Sequence, residues 1–278
     1  MIVCAHPHIW FDHRTVECNV IDSQLFDGCV AIYEVLRVQQ GVSLFLEDHL
    51  YRLQNSIILA SCKWDSQWLI NLETAVAAVI KSNEIREGKI EISLTFDRQS
   101  RELQHLLVYS LPLSLPIPTQ YSSGVDTIFY FAARGNPEIK EKDASLREAS
   151  DIIIQKRNLF EVILVDRFGR ITEGSRSNVF FVTGQNEVST APSQLVLGGI
   201  TRNKVIEIAR SNGILVNEKP LMYNELSGVQ ALFLTGTSPK VLPVRQLEEY
   251  RFSTDNDLMR HLILLYDELI TSYLNKCH

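Results

Sequence analysis

Ile171-Thr172-Glu173-Gly174-Ser175-Arg176-Ser177-Asn178 sets one carboxylate among glycine and hydroxyl residues, then runs into the apolar stretch Val179-Phe180-Phe181-Val182. Hydroxyls and a glycine beside a single carboxylate suit a surface that binds something both charged and planar. Alone, the octapeptide also reads as an ordinary hairpin turn. Two polar clusters downstream shift the balance. Leu197-Gly198-Gly199-Ile200-Thr201-Arg202 leads into a helical pattern that includes Val205, Ile208 and Ala209, and Thr235-Gly236-Thr237-Ser238-Pro239 follows the apolar strand Ala231-Leu232-Phe233-Leu234. Thr201 is placed to N-cap the helix after it, and Ser238-Pro239 has the character of an N-cap and a first helical residue. Free backbone N–H groups at such turns attract anions, and glycine lets the backbone come close. Two such turns in one domain suit a clamp on one phosphate.

Outward from these clusters, Val162-Ile163-Leu164-Val165 and 177–182 read as a hairpin around Asp166-Arg167-Phe168-Gly169, preceded by a helix over roughly 145–156 and a strand over 127–132. Upstream, Pro112, Pro116, Pro118 and the turn Ser122-Ser123-Gly124 make 111–124 a poor strand and a good linker. In the first half, Leu50, Leu53, Ile57 and Ala60 keep helical spacing, and Trp68, Leu72, Val76, Val79 and Ile80 mark a second helix. Ile90, Ile92, Leu94 and Phe96 alternate with polar residues as in a half-buried strand, and 105–110 supplies an antiparallel partner. Hairpins mixed with helices predict an α+β chain rather than a regular βαβ series. The expected division is a smaller N-terminal domain over 1–115, a linker over 116–124 and a larger domain over 125–278.

The 278 residues suffice for a sizeable core. Apolar residues at 45% and charged residues at 22% are those of a globular protein. A net charge of −6 argues against a nucleic-acid surface, which needs a basic face. No run of about 18 apolar residues predicts a membrane span, and Met1-Ile2-Val3-Cys4-Ala5-His6 lacks the form of a signal peptide. The cysteines Cys4, Cys18, Cys29, Cys62 and Cys277 are scattered and odd in number, which predicts reduced thiols in a cytoplasm. His6, His8 and His13 have no carboxylate or cysteine pattern to complete a metal site, so no metal is expected. His49 reads as a packing residue of the first helix. Ser175 and Ser177 lack the glycine-flanked elbow of a hydrolase nucleophile. Lys140, in Asn136-Pro137-Glu138-Ile139-Lys140, reads from spacing alone as a solvated surface lysine.

The pieces Asp27-Gly28, Ile32-Tyr33-Glu34-Val35, Phe45-Leu46-Glu47-Asp48-His49-Leu50-Tyr51-Arg52-Leu53, Ile139-Lys140, Phe160-Glu161-Val162-Ile163-Leu164, 172–178, Gly199-Ile200-Thr201-Arg202 and Gly236-Thr237 occur in that order along most of the chain. In this the chain resembles the fold type IV family of pyridoxal-phosphate enzymes, which includes branched-chain aminotransferases, D-amino-acid aminotransferases and aminodeoxychorismate lyases. The resemblance implies a two-domain α+β fold of the D-amino-acid aminotransferase type, a pyridoxal 5'-phosphate cofactor and a homodimer. It implies amino-group transfer between an amino acid and a 2-keto acid, with 4-amino-4-deoxychorismate lyase as the alternative. Residue by residue, Lys140 matches the Schiff-base lysine, with Lys142 and Lys156 as rivals in the same region. Glu173 matches the carboxylate that pairs with the pyridine nitrogen, which keeps the ring protonated and electron-accepting. Arg52 matches a phosphate ligand with a guanidinium fork. Gly199, Ile200, Thr201, Gly236 and Thr237 match the two phosphate turns, Leu197 an apolar residue against the ring, and Ser177 and Asn178 the cofactor-side turn. Tyr33, Thr237 and Ser238 fall on the substrate side.

The chain departs from the pattern in three places. The segment from Asp27-Gly28 to Tyr33 is longer than usual. The arginine-plus-histidine carboxylate trap of D-amino-acid aminotransferases is not evident, with Asp97-Arg98-Gln99-Ser100-Arg101 in its region. Gly174-Ser175-Arg176-Ser177-Asn178 lies nearer the D-amino-acid and lyase branches than the branched-chain one, and leaves Arg176 without a role. Arg134 is placed either to reach the site or to hold the loop before Lys140.

Overall fold

In the computed structural model, residues 3–142 and 144–277 are described, apart from the side chains of residues 23 and 144. Met1 and Ile2, part of the start weighed above as a leader, lie outside the described residues. The chain divides into two compact units, one of Met1–Ser114, Ile139–Lys142 and Ser272–His278, the other of Leu115–Glu138 and Asp143–Thr271.

The first unit is built on strands β1 (His8–Phe11), β2 (Arg14–Glu17), β3 (Cys29–Gln39), β4 (Val42–Ser43), β5 (Glu87–Asp97) and β6 (Leu103–Leu111), in the order β2-β1-β6-β5-β3-β4 with antiparallel neighbours. Period-2 alternation sends Ile32, Leu36 and Val38 of β3 and Ile90, Ile92, Leu94 and Phe96 of β5 into one core. Helices α1 (Leu46–Leu59) and α2 (Gln67–Ser82) complete that core with Leu50, Leu53 and Ile57 and with Leu72, Ala75, Val76 and Val79. Glu47 and Asp48 in the first turn of α1 suit its dipole. Trp68 packs against this cluster. A smaller cluster of Ile9, Ile21, Leu107 and Tyr109 gathers Cys4, Phe11, Val16 and Cys18 around it.

The second unit holds α3 (Pro118–Ser123), β7 (Val125–Phe131), α4 (Ala144–Arg157), β8 (Glu161–Val165), β9 (Ile171–Gly174), β10 (Asn178–Gly184), β11 (Glu187–Thr190), α5 (Ile200–Ser211), β12 (Leu215–Glu218), β13 (Ala231–Gly236), β14 (Lys240–Leu247), β15 (Tyr250–Arg251) and most of α6 (Asp257–Cys277). Its strands run β12-β11-β10-β13-β14-β7-β8-β9, with β15 on β14 and a further pairing of β9 with β10. That pairing, Glu173 opposite Asn178, closes β10-β13-β14-β7-β8-β9 into a ring. Val179, Phe181, Leu232 and Leu234 share one core with Ile163 and Leu242. On the other face Phe180 stacks on Phe233, their ring centres 5.0 Å apart, and α5 packs against β13.

Three sequence expectations change. The hairpin partner of β8 is β9, with Val165 opposite Ile171, rather than the strand beginning near Ser177. A four-residue strand buried throughout shows no alternation to read. Within the stretch expected to be a linker, Pro118 starts a short helix, because the first helical position needs no N–H donor. Cys4 and Cys18 form a disulfide, where reduced thiols were expected, while Cys29, Cys62 and Cys277 are free. Turns at Asp12 and His13, both at positive φ, fold β2 back on β1 and bring the two sulfurs together.

Candidate active site

The first unit holds Tyr33, Arg52 and Lys140. Only β3 residues 38 and 39 pair with β4, so the earlier part of that edge is open, and 139–142 docks on it. Tyr33 N–H donates to Lys140 O at 3.0 Å, Lys142 N–H to Ala31 O at 3.1 Å, and Ile32 faces Glu141 in an antiparallel bridge. Lys140 N–H donates to Ser56 Oγ of α1 at 3.2 Å. These bonds place Lys140 Nζ 4.6 Å from the centre of the Tyr33 ring.

Two residues on, and so on the same side of an extended segment, Lys142 Nζ pairs with the buried Glu91 carboxylate. Tyr109 Oη also donates to Glu91, at 2.5 Å. Burial and then the Glu91 charge push the Tyr109 phenol well above its ordinary range, so it remains a donor. An ammonium held in this way is a poor candidate for a neutral nucleophile. Lys156 is exposed on α4.

On the core face of β3, Glu34 is fully buried and takes a two-point contact from Arg52, Nε to Oε1 at 2.7 Å and Nη2 to Oε2 at 2.6 Å, plus His49 Nδ1 at 2.7 Å. Burial opposes the Glu34 charge, but Arg52 and His49 overcome it and hold the carboxyl down at about 2. Burial likewise lowers His49, which Glu34 only partly offsets, so the imidazole is neutral. His49 therefore acts as packing and as one ligand of Glu34. Of the two arginines weighed for a carboxylate trap, Arg98 is exposed and Arg101 hydrogen-bonds Cys62.

In the second unit the three polar clusters converge. Gly174 N–H donates to Ser177 O at 2.7 Å, which folds the octapeptide into a tight turn between Glu173 and Asn178. The Glu173 carboxylate, 3% exposed, accepts from Arg134 Nε at 2.8 Å, Leu197 N–H at 3.2 Å and Asn178 Nδ2 at 3.4 Å. Arg134 Nη2 also donates to Ser175 O at 2.9 Å, and Asn178 Nδ2 to Leu197 O at 2.8 Å. Arg134 thus reaches the carboxylate itself. Behind the turn, buried Glu161 accepts from Ser175 Oγ at 2.6 Å, Ser177 Oγ at 3.1 Å and Arg176 N–H at 3.1 Å. The Arg176 side chain pairs with Asp151 of α4. Glu161 was visible only as one letter of a matched string, because nothing local marks the partner of a turn some 12–16 residues away.

Gly199 is the N-cap of α5, and a Cβ there would collide with Asn178 Oδ1. Thr201 is therefore not the cap: it is the second helical residue, buried, with Tyr266 Oη donating to its Oγ1 at 3.3 Å. Ser238-Pro239 starts no helix either. Gly236 lies opposite Lys240 across β13 and β14, so Thr237, Ser238 and Pro239 form a three-residue hairpin loop. Ser-Pro is at home in both settings. A Cβ on Gly236 would meet Pro239 carbons at 3.2 Å and Arg176 O at 3.6 Å, which sets this loop beside the octapeptide turn.

Thr235 stands opposite Asn178 and so on the same face of the sheet. Its hydroxyl is buried with no hydrogen-bond partner among the described residues, a cost of about 1–3 kcal/mol if nothing binds there. Asn178, opposite it, also lies against Gly199, the N-cap of α5, whose first N–H groups no helix can satisfy from within. Hydroxyl and N–H donors next to a buried carboxylate fit a ligand with an anionic group and a protonated ring nitrogen, as pyridoxal 5'-phosphate has.

A family model described as amino-transferase class IV matches residues 31–247. A D-alanine aminotransferase of Bacillus licheniformis is 29% identical over 246 residues, 84% of each chain. The solved branched-chain amino acid aminotransferase of Escherichia coli has a TM-score of 0.83 at 21% identity, covering 96% of this chain and 96% of its own. A Legionella pneumophila structure described as a candidate 4-amino-4-deoxychorismate lyase has a TM-score of 0.75 at 18% identity, over 86% of this chain and 90% of its own. At such identities the two structures speak to the fold alone.

Proposed function

Because this chain belongs to the amino-transferase class IV family, we propose that Lys140, Glu173 and the turns around Glu173 carry its reaction. The enzyme is a pyridoxal-phosphate-dependent aminotransferase that moves an amino group between an amino acid and a 2-keto acid. Pyridoxal phosphate, when bound, supplies an electron sink for the charge left as the substrate loses its α-proton. Lys140 would hold the cofactor through its Nζ, the group that would also move that proton. Glu173 holds the proton on the ring nitrogen, and Arg134 and Asn178 fix the carboxylate for that task. Arg52, held by Glu34, and Gly199, Ile200, Thr201, Gly236 and Thr237 bind the phosphate. Leu197 packs on the ring, Ser177 and Asn178 shape the turn beside it, and Tyr33, Thr237 and Ser238 face the substrate.

The observation that carries this reading is the buried Glu173 carboxylate, with Arg134, Asn178 and Leu197 converging on it and, on the same face as Asn178, the Thr235 hydroxyl with no partner among the described residues. The test mixes holoenzyme with single L- and D-amino acids and follows its visible absorbance. Amino donors bleach the band, and keto acids restore it. Lys140→Ala abolishes the covalent link to the cofactor; a visible band unchanged in that variant would assign the lysine elsewhere. Pyruvate release from aminodeoxychorismate, without any keto acid, would mark the lyase instead.

A homodimer and a cytoplasmic location complete the proposal. The first is tested by the mass in solution and the second by fractionation. No described helix is long and apolar enough to cross a membrane.

A further inference from the structure

Tyr266 sits on α6 between buried Leu262 and Ile270, each one helical turn away on the same face, and is itself 4% exposed. Its hydroxyl donates to Thr201 Oγ1, and Tyr266 is the hydrogen-bond partner that the described residues give the Thr201 hydroxyl. A threonine in a helix ordinarily divides between two rotamers, because Oγ1 can bond back to the carbonyl three or four residues earlier. For Thr201, the second residue of α5, those carbonyls belong to Gly198 and Leu197, which precede the helix and lie outside that back-bonding geometry; Leu197 O accepts from Asn178 Nδ2 instead. Burial pushes the Tyr266 phenol up to about 12, so it remains a donor throughout the neutral range. A hydroxyl has one proton and two lone pairs. With the phenol filling a lone pair of Thr201 Oγ1, the threonine's own proton is directed away from α6.

We propose that Tyr266 is a positioning residue for the phosphate subsite: it selects the Thr201 rotamer and turns the Thr201 O–H into a donor to the phosphate group of the cofactor. The proposal rests on the reading of Thr201 as a phosphate ligand. Tyr266 touches neither cofactor nor substrate, and its effect passes through one hydrogen bond.

The experiment measures dissociation constants of pyridoxal 5'-phosphate and of pyridoxal, which lacks the phosphate, by absorbance. The proteins are the wild type, Tyr266→Phe, Thr201→Val and the double variant. Loss of one such bond corresponds to roughly threefold to tenfold. Tyr266→Phe is expected to weaken pyridoxal 5'-phosphate by that factor and leave pyridoxal within about twofold, with the double variant no weaker than Thr201→Val alone, as coupled sites require. Inorganic phosphate, as a competitor, is expected to lose affinity in Tyr266→Phe in the same proportion. If Thr201→Val discriminates against the phosphate but Tyr266→Phe does not, the positioning role is wrong and the phosphate ligand stands. A Tyr266→Phe loss equal for both ligands would make the contact merely structural and also overturn it. If Thr201→Val itself leaves the ratio of the two constants unchanged, the phosphate reading of Thr201 falls and this inference falls with it.

Discussion

Glu173 and Asn178 face each other across β9 and β10, and this pair both closes the strand ring and brings Asn178 Nδ2 to the Glu173 carboxylate. Backbone closure and side-chain placement thus depend on the same two positions. Glu173→Gln keeps the size and the strand pairing but gives up the charge. Amino transfer in single-turnover kinetics is expected to slow by about a hundredfold or more, in the range seen when one preorganised electrostatic group is removed. Unchanged kinetics would remove Glu173 from the chemistry.

Arg134 makes two bonds at once, Nε to Glu173 and Nη2 to Ser175 O. A lysine keeps the charge but has no planar fork. Arg134→Lys is therefore expected to lower unfolding free energy by about 1.5–3 kcal/mol, one charge-assisted bond, and to slow turnover. Chemical denaturation measures the first and initial rates the second.

Gly198 and Gly199 are neighbours with opposite tolerances. A Cβ on Gly198 meets nothing within 4 Å, whereas one on Gly199 collides with Asn178 Oδ1. Gly199→Ala is expected to cost about 1–3 kcal/mol, as overpacking does, and to displace Asn178, with cofactor affinity falling. Gly198→Ala is expected to be near neutral in both thermal melts and cofactor titration.

The Glu34 carboxyl is held down at about 2, against an ordinary value of 4.5. A depressed acid stabilises the fold above its unfolded value, and that contribution is lost as pH falls through the folded one. Denaturation between pH 4.5 and about 2 should therefore show stability falling with pH. In Glu34→Gln that share of the slope disappears, and the molecule is less stable at neutral pH because Arg52 is left without its buried partner.

Oxidised protein, unfolded without reductant, is expected to show three reactive thiols, and five after reduction, since Cys4–Cys18 is paired and Cys29, Cys62 and Cys277 are free. A loop of this size corresponds to about 3 kcal/mol of stability. Cys4→Ser should lower the melting temperature of oxidised protein and leave that of reduced protein nearly unchanged.

Much of the fold was legible because its signals are local. The spacing of α1 and α2 and the apolar run of β13 read correctly, and the α+β class and the family hold; β5 is the strand its alternation predicts but is not half-buried, since Glu91, Ser93 and Thr95 on its polar face are buried too. What escaped depends on distance or on shared chemistry. β9 is buried throughout, so Ile171–Gly174 shows no period. Gly199, not Thr201, caps α5, because the space beside Asn178 decides and a capping preference does not. Ser238-Pro239 serves a hairpin with the same residues that would start a helix. Glu161 and Tyr266 stabilise the octapeptide turn and α5 from elements far away in sequence, with nothing near them to announce it. The pairing of Cys4 with Cys18 could not be drawn from an odd number of scattered cysteines.

The docking of Ile139–Lys142 on β3 bears on how the protein is made. A chain grows from its N-terminus, and early segments can fold before later ones exist. When Ser114 has been synthesised, the sheet of the first unit can form, but its β3 edge is bare, and an unpaired edge invites wrong partners. All of Leu115–Glu138 must follow before Lys140 arrives to cover it, and Ser272–His278 joins the unit only after the second unit's segments have been made. Lys140 is therefore installed late, with the piece that seals an edge laid down much earlier. A chain stalled or cut in between would carry neither Lys140 nor the segment that pairs with its own β3 edge.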